Sequence, residues 1–122
     1  MGWVLYVEDN ESLRSVVAEM LSDLGHELAL AADGAAALEV LSRREPPFVI
    51  ITDLHMPVMN GWELITRLQA DPRLAHVPLV VASSETEPVA GVEAHLAKPY
   101  ALGDLLRLVE QYRRRSKLTR AS

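Results

Sequence analysis

Residues 48–61 read FVIITDLHMPVMNG, and this stretch decides the fold. Its first residues form a continuous apolar run without polar alternation, which indicates a strand buried on both faces, as in a parallel sheet. The run ends at Asp53, and a loop containing Pro57 follows. Asn60 then stands where the N-cap of a helix is expected. The stretch therefore predicts a strand–loop–helix unit of an α/β protein.

Two other apolar runs have the same character as residues 48–52. They are Trp3–Val7 (WVLYV) and Leu79–Ala82 (LVVA), and neither alternates with polar residues. We therefore expect three strands in the centre of one sheet. His26–Ala31 and His95–Ala97 are weaker strand candidates, and we place them nearer the sheet edges.

Helical spacing fills the segments between these strands. Helices are predicted along the stripe from Leu13 to Leu24, over residues 35–44, after Asn60, and from Leu102 to Tyr112. The expected stop signals, in chain order, are Gly25, Pro46–Pro47 and Asp71–Pro72.

The alternation of strands and helices favours an α/β fold with right-handed crossovers. We predict a flavodoxin-like, doubly wound parallel sheet of five strands in the order 2-1-3-4-5. One crossover is short, because 11 residues, 84–94, separate Ser83 from the last strand candidate. Pro88 and Gly91 in that segment disfavour a helix. We therefore expect the fourth helix of such a fold to be shortened or absent, with at most a short turn between residues 85 and 93.

The composition is that of one soluble domain. The chain has 122 residues, of which 49% are hydrophobic and 24% charged. Since it has no cysteine, a disulfide framework, a Cys-ligated metal site and thiol catalysis are excluded. No apolar run is long enough to span a bilayer, and no signal peptide is recognised. We therefore expect a cytoplasmic protein without a membrane partner.

The net charge of −5 conceals an asymmetry. Residues 1–109 carry 16 Asp and Glu against 7 Lys and Arg, a balance of −9, whereas residues 110–122 have a balance of +4. The acidic body argues against nucleic acid as the main partner. We predict one domain over residues 1–115 and a basic C-terminal tail or linker over residues 116–122.

Polar residues follow four of the expected strands. Glu8 and Asp9 follow the first, Asp53 the third, Ser83 the fourth and Lys98 the fifth. Ligands of open parallel sheets bind at the carboxyl ends of the strands, where the strand order reverses. Clustered carboxylates there require a cation, and Mg²⁺ (or Mn²⁺) is suited to them. Asp53 would then be a carboxylate nucleophile for phosphoryl transfer, assisted by Lys98 and Ser83.

These motifs resemble one known family over nearly the whole chain. Val7–Asn10 (VEDN), Asp53–Pro57 (DLHMP) followed by Gly61, then Ser83 and Lys98–Pro99, are similar to the signature of response regulator receiver domains, including single-domain chemotaxis regulators. The spacing Asp-x-x-Met-Pro-x-x-x-Gly between a strand and a helix is the most specific part.

The resemblance implies a role for each matching residue. Asp9 would ligate Mg²⁺ directly and Glu8 through water, while the backbone carbonyl of His55 would be a further ligand. Asp53 would be the phosphoacceptor. Ser83 and Lys98 would contact the phosphoryl group, and the bond from Lys98 to Pro99 would be cis.

His95 departs from the family pattern. It stands three residues before Lys98, where the family usually has an aromatic residue that turns inward on activation. Histidine can fill that space and titrates near neutral pH. His95 is therefore a candidate switch residue together with Ser83, and the alternative is an exposed histidine on an edge strand.

Four other ring side chains lie outside the expected site. His26 and His76 fall in predicted turns, and we expect both to be solvated. Trp3 and Trp62 are expected to be packing residues instead of a binding platform.

The function implied by the resemblance is that of a phosphorelay receiver. It would accept its phosphoryl group from a sensor histidine kinase or a histidine phosphotransfer protein, and then change conformation to regulate a downstream protein. It would not be an enzyme, beyond catalysing its own phosphorylation and dephosphorylation. The short crossover leaves one alternative open, a constitutive protein-interaction module that keeps the fold without using phosphate.

Overall fold

The computed structural model, which describes residues 2–84 and 89–121, contains five strands and four helices in those residues. The strands are β1 (Trp3–Val7), β2 (Glu27–Ala31), β3 (Val49–Thr52), β4 (Leu79–Ser83) and β5 (Ala94–Ala97). The helices are α1 (Glu11–Asp23), α2 (Gly34–Ser42), α3 (Gly61–Ala70) and α4 (Leu102–Ala121).

All strands are parallel, and the sheet order is β2-β1-β3-β4-β5. The predicted flavodoxin-like arrangement is therefore confirmed. Every residue of β1, β3 and β4 is buried, whereas β2 and β5 are edge strands with exposed positions. Continuous apolar runs thus occupy the centre, because helices cover both faces there.

Two core layers lie on opposite faces of the sheet. Alternate residues of β1 point to opposite sides, so that Leu5 packs with α2 and α3 while Tyr6 packs with α1 and α4. The carboxyl ends of all strands consequently meet at one edge between the two layers.

The helix ends follow local sequence signals with one exception. Gly25 has a φ of 84°, and the N–H groups of Gly25 and His26 donate to Ser22 and Leu21, which closes α1 as predicted. The Asn60 side chain accepts from the Glu63 N–H and begins α3. The helix predicted over residues 35–44 ends earlier, at Ser42, so the prolines that follow do not terminate it directly.

The crossover from β4 to β5 contains no helix in its described residues, 84 and 89–93. The expected short crossover is confirmed there, while residues 85–88, including Pro88, lie outside the described residues. Gly91 has a φ of 80°, which favours glycine. Gln69 of α3 donates to the Ala90 carbonyl oxygen at 3.2 Å and anchors the segment.

α4 runs without a break through Ala121 and crosses the boundary predicted after residue 115. Residues 116–121 therefore continue the helix, and their role as a basic tail or linker stays a prediction. Arg113 pairs with Glu110 one turn earlier, and Arg115 pairs with Glu93 ahead of β5. Such contacts stabilise the charged end of the helix. Within the described residues, no helix has the length and apolarity that a bilayer span requires.

Candidate functional site

The polar residues predicted at the strand ends converge at the carboxyl edge of the sheet. Glu8 directly follows β1 and Asp53 directly follows β3, and these strands are neighbours. The Asp53 N–H donates to the Val7 carbonyl oxygen at 3.1 Å. The hydrogen-bond ladder of the sheet therefore extends to the site. It holds the backbone from which the Glu8 and Asp53 side chains project.

Three carboxylates form the acidic centre of the site. Oxygen atoms of Glu8, Asp9 and Asp53 all lie within 4.8 Å of one another. Glu8 and Asp53 are buried, whereas Asp9 is exposed. Oxygen ligands of this kind, with one side open to solvent, suit a hard divalent cation that keeps part of its water shell. The residues present therefore fit Mg²⁺ or Mn²⁺.

Lys98 supplies the fixed cation. Its Nζ lies 2.7 Å from Glu8 Oε1 and 2.8 Å from Asp53 Oδ2. Burial alone lowers the pKa of Lys98, but its hydrogen bonds to Asp53 and Glu8 outweigh that effect, so the pKa is raised and the ammonium persists. Burial raises the pKa of Glu8, against the opposing effects of Lys98 and the Asn10 N–H.

The loop after β3 orients the Asp53 carboxylate. Oδ1 of Asp53 accepts from the N–H groups of Leu54, at 2.6 Å, and His55, at 3.4 Å. The loop is closed by α3, since the Gly61 N–H donates to the Leu54 carbonyl oxygen at 2.8 Å. A Cβ on Gly61 would overlap the Asp53 carbonyl oxygen. The glycine of the motif is therefore required by the close approach of α3 to the site.

Ser83, Pro99 and His95 occupy three different environments. Ser83 is fully buried at the end of β4, and its carbonyl oxygen accepts from the Lys98 N–H at 3.0 Å. The Lys98–Pro99 peptide bond is cis, in agreement with the resemblance. His95 is exposed on β5 and does not turn inward in this structure. Its switch role and the His55 carbonyl as a metal ligand stay predictions.

Two contacts near the site were not anticipated from the sequence. The hydroxyl groups of Tyr6 and Tyr100 lie 2.9 Å apart. Trp62, expected to be a packing residue, is 39% exposed and meets the His55 ring edge-on at a centroid distance of 5.1 Å. One signal for the first contact was present, because a buried tyrosine usually requires a partner for its hydroxyl.

Comparison with known proteins identifies a family and several relatives to which this chain is similar. The model of the response regulator receiver domain matches residues 4–110. A chemotaxis protein CheY homologue of Campylobacter jejuni is 32% identical over 105 residues, which cover 80% of this chain and 81% of the relative. The chemotaxis protein CheY-3 of Vibrio cholerae is 33% identical over 110 residues, or 84% of each chain.

Two solved structures share the fold at similar coverage. The chemotaxis response regulator CheY4 of Vibrio cholerae superposes with a TM-score of 0.82 at 32% identity, over 92% of this chain and 98% of that chain. The second is the receiver domain of a sensor histidine kinase from Pseudomonas aeruginosa, which has a magnesium ion coordinated in its active site cleft. It superposes with a TM-score of 0.81 at 27% identity, over 91% of this chain and 96% of that chain.

Proposed function

Because the chain belongs to the response regulator receiver domain family, we propose that it accepts a phosphoryl group on Asp53 and thereby regulates a partner. The phosphoryl donor is a sensor histidine kinase or a histidine phosphotransfer protein, and the reaction takes place in the cytoplasm. One observation carries the proposal. The Asp53 carboxylate lies 2.8 Å from the Lys98 ammonium, inside a cluster completed by Glu8 and Asp9.

The chemistry assigned to Asp53 is nucleophilic. A carboxylate oxygen attacks phosphorus, the bond from phosphorus to the leaving group breaks, and the leaving group keeps the electron pair. The product is an acyl phosphate on Asp53. The Lys98 ammonium stabilises negative charge that develops on the phosphoryl oxygens, because it is already held at the carboxylate. The proposed role of Ser83 is to contact the phosphoryl group afterwards with its hydroxyl.

The acidic cluster is the proposed metal site. Glu8, Asp9 and Asp53 would hold Mg²⁺ or Mn²⁺, with the His55 carbonyl as the further ligand implied by the family. A bound ion supplies positive charge that offsets the negative charge of the phosphoryl oxygens and of the carboxylates. The magnesium ion in the P. aeruginosa receiver structure supports this assignment.

The proposal is tested by intact-mass measurement after incubation with acetyl phosphate and Mg²⁺. One phosphoryl group is expected on the wild-type chain and none on Asp53→Asn. Asp23→Asn is the matched control, because Asp23 is an exposed aspartate at the end of α1, and it should be labelled like the wild type. Labelling of Asp53→Asn to the wild-type level would contradict the proposed acceptor.

A constitutive interaction module is the second candidate. It is favoured by the short crossover before β5, whose described residues contain no helix. A wild-type chain that stays unlabelled with acetyl phosphate and with a phosphohistidine donor would support this candidate. Labelling that changes amide exchange in β5 and in the crossover would support the phosphorelay receiver.

A further inference from the structure

Two contacts join the end of β1 to the segment that follows β5. One is the ion pair between Glu8 and Lys98, with 2.7 Å between Oε1 and Nζ. The other is the hydrogen bond between the hydroxyls of Tyr6 and Tyr100, with 2.9 Å between the oxygens. Since β3 and β4 separate β1 from β5 in the sheet, both contacts link strand ends that are not neighbours.

The tyrosine pair lies in the core layer that contains α1 and α4. Tyr6 is buried and Tyr100 is half-buried. Burial raises the pKa of Tyr6 far above its usual range, and it raises that of Tyr100 as well. The link between the two hydroxyls is therefore uncharged.

The Lys98 ammonium is held by two carboxylates. Its side chain is long and flexible, and its two carboxylate partners, Glu8 and Asp53, are the groups proposed to bind a cation and a phosphoryl group. On the backbone, the Lys98 N–H is held by the Ser83 carbonyl oxygen at 3.0 Å. Tyr100, two residues later, fixes the other side of the segment to β1.

We propose that Tyr6 and Tyr100 are positioning residues for Lys98. The hydroxyl pair holds residues 98–100 against β1, so that the ammonium keeps its reach to Asp53 when Glu8 is drawn to a cation. This inference rests on the proposed function, because positioning of Lys98 matters only if Asp53 is phosphorylated. A purely structural role, in which each hydroxyl only satisfies the other, would leave Lys98 unaffected.

The test uses Tyr100→Phe and Tyr6→Phe in the full chain. Each removes one hydroxyl and keeps the ring, and Tyr6→Phe leaves the Tyr100 hydroxyl in a half-buried position. The rate of labelling by acetyl phosphate with Mg²⁺ is expected to fall about two- to tenfold in both variants, the range that corresponds to loss of one hydrogen bond. Tyr112→Phe is the matched control, because its hydroxyl contacts Glu93 away from the site, and its rate should be unchanged.

A second readout reports on Lys98 directly. The chain has two lysines, Lys98 and Lys117, so a protein with ¹³C-labelled lysine has one ε-carbon resonance in the site and one reference on α4. Both tyrosine variants should shift or broaden the Lys98 resonance and leave that of Lys117 in place. An unchanged Lys98 resonance or an unchanged labelling rate would overturn the inference. Absence of labelling in the wild type would instead overturn the proposed function, while the lysine resonances would still report on the positioning.

Discussion

Lys98 Nζ lies 2.8 Å from Asp53 Oδ2, so the resting protein already has a cation in contact with the proposed phosphoacceptor. The same ammonium contacts Glu8. A divalent ion attracted to these carboxylates must therefore share them with Lys98 or displace it. Like charges in one site repel each other, so Lys98 would weaken the binding of a divalent ion at rest.

Replacement of Lys98 should strengthen metal binding. We expect Lys98→Met, which keeps the length of the side chain, to raise Mg²⁺ affinity by about tenfold, since one nearby positive charge is removed. Titration calorimetry measures the affinity directly. Lys117→Met, on the exposed surface of α4, should leave it unchanged, and an equal or lower affinity in Lys98→Met would contradict the competition.

The two neighbouring acidic residues after β1 should contribute unequally to metal binding. Asp9 is exposed, whereas Glu8 is buried and accepts hydrogen bonds from Lys98 and from the Asn10 N–H. We expect Asp9→Ala to weaken Mg²⁺ binding by more than about tenfold and Glu8→Ala by less. Equal losses of affinity in the two variants, measured by the same titration, would contradict the prediction that Asp9 is a direct ligand and Glu8 is not.

A methyl group at residue 61 should damage the fold where the site is built. Gly61→Ala places a Cβ against the Asp53 carbonyl oxygen and 2.7 Å from the Leu54 Cα, so we expect a loss of about 2–4 kcal/mol in the free energy of unfolding. Gly103→Ala is the control, because the nearest atom to its Cβ is the end of the Arg107 side chain at 3.8 Å. In helix α4 it should be neutral or stabilising by up to about 1 kcal/mol. Urea unfolding distinguishes these outcomes, and similar values for both variants would contradict the close approach of α3.

Val58 should be replaceable by glycine with a gain in stability. Val58 has a φ of 66° and is 83% exposed. It is the central residue of a γ-turn, in which the Met59 N–H donates to the Pro57 carbonyl oxygen. A β-branched residue is strained in this conformation. We expect Val58→Gly to raise the free energy of unfolding by about 0.5–1 kcal/mol, after allowance for the greater freedom of glycine in the unfolded chain. Val58→Ala keeps a Cβ and should gain less; a loss with glycine would argue against strain.

His26 should make stability depend on pH. Its side chain is 5% exposed and lies 3.7 Å from Glu110, contrary to the expectation that it is solvated. Burial lowers the pKa of His26 below its ordinary value of 6.5, with Glu110 opposing and Arg113 reinforcing the shift. The unfolded chain therefore binds this proton first as the pH falls, and stability should decrease from about pH 6.5 down through the lowered pKa.

Unfolding measured between pH 7.5 and about pH 5 checks this dependence. We expect His26→Gln to remove the part of the slope near pH 6, while His76→Gln, at an exposed residue, should retain it. A slope that is unchanged in His26→Gln would assign it to other groups.

The sequence by itself determined the sheet and the place of the site. The runs that form β1, β3 and β4 are continuous apolar runs, and this pattern alone predicts strands that are buried on both faces. Parallel strands bring their carboxyl ends to one edge, so Glu8, Asp53 and Lys98 were expected together from chain order alone. Helix ends with a local signal, such as Gly25 and Asn60, were predictable for the same reason, because their hydrogen bonds close within a few residues.

The tertiary structure decided the features that depend on contacts between distant residues. The His26 side chain is only 5% exposed, with Glu110 of α4 and the Phe48 ring lying against it. The continuation of α4 past residue 115 coincides with the contact of Arg115 to Glu93. Tyr6 and Tyr100 meet although 94 positions separate them. A local pattern specifies which way a side chain points along its own element, but the partner it meets is fixed only when the layers pack against each other.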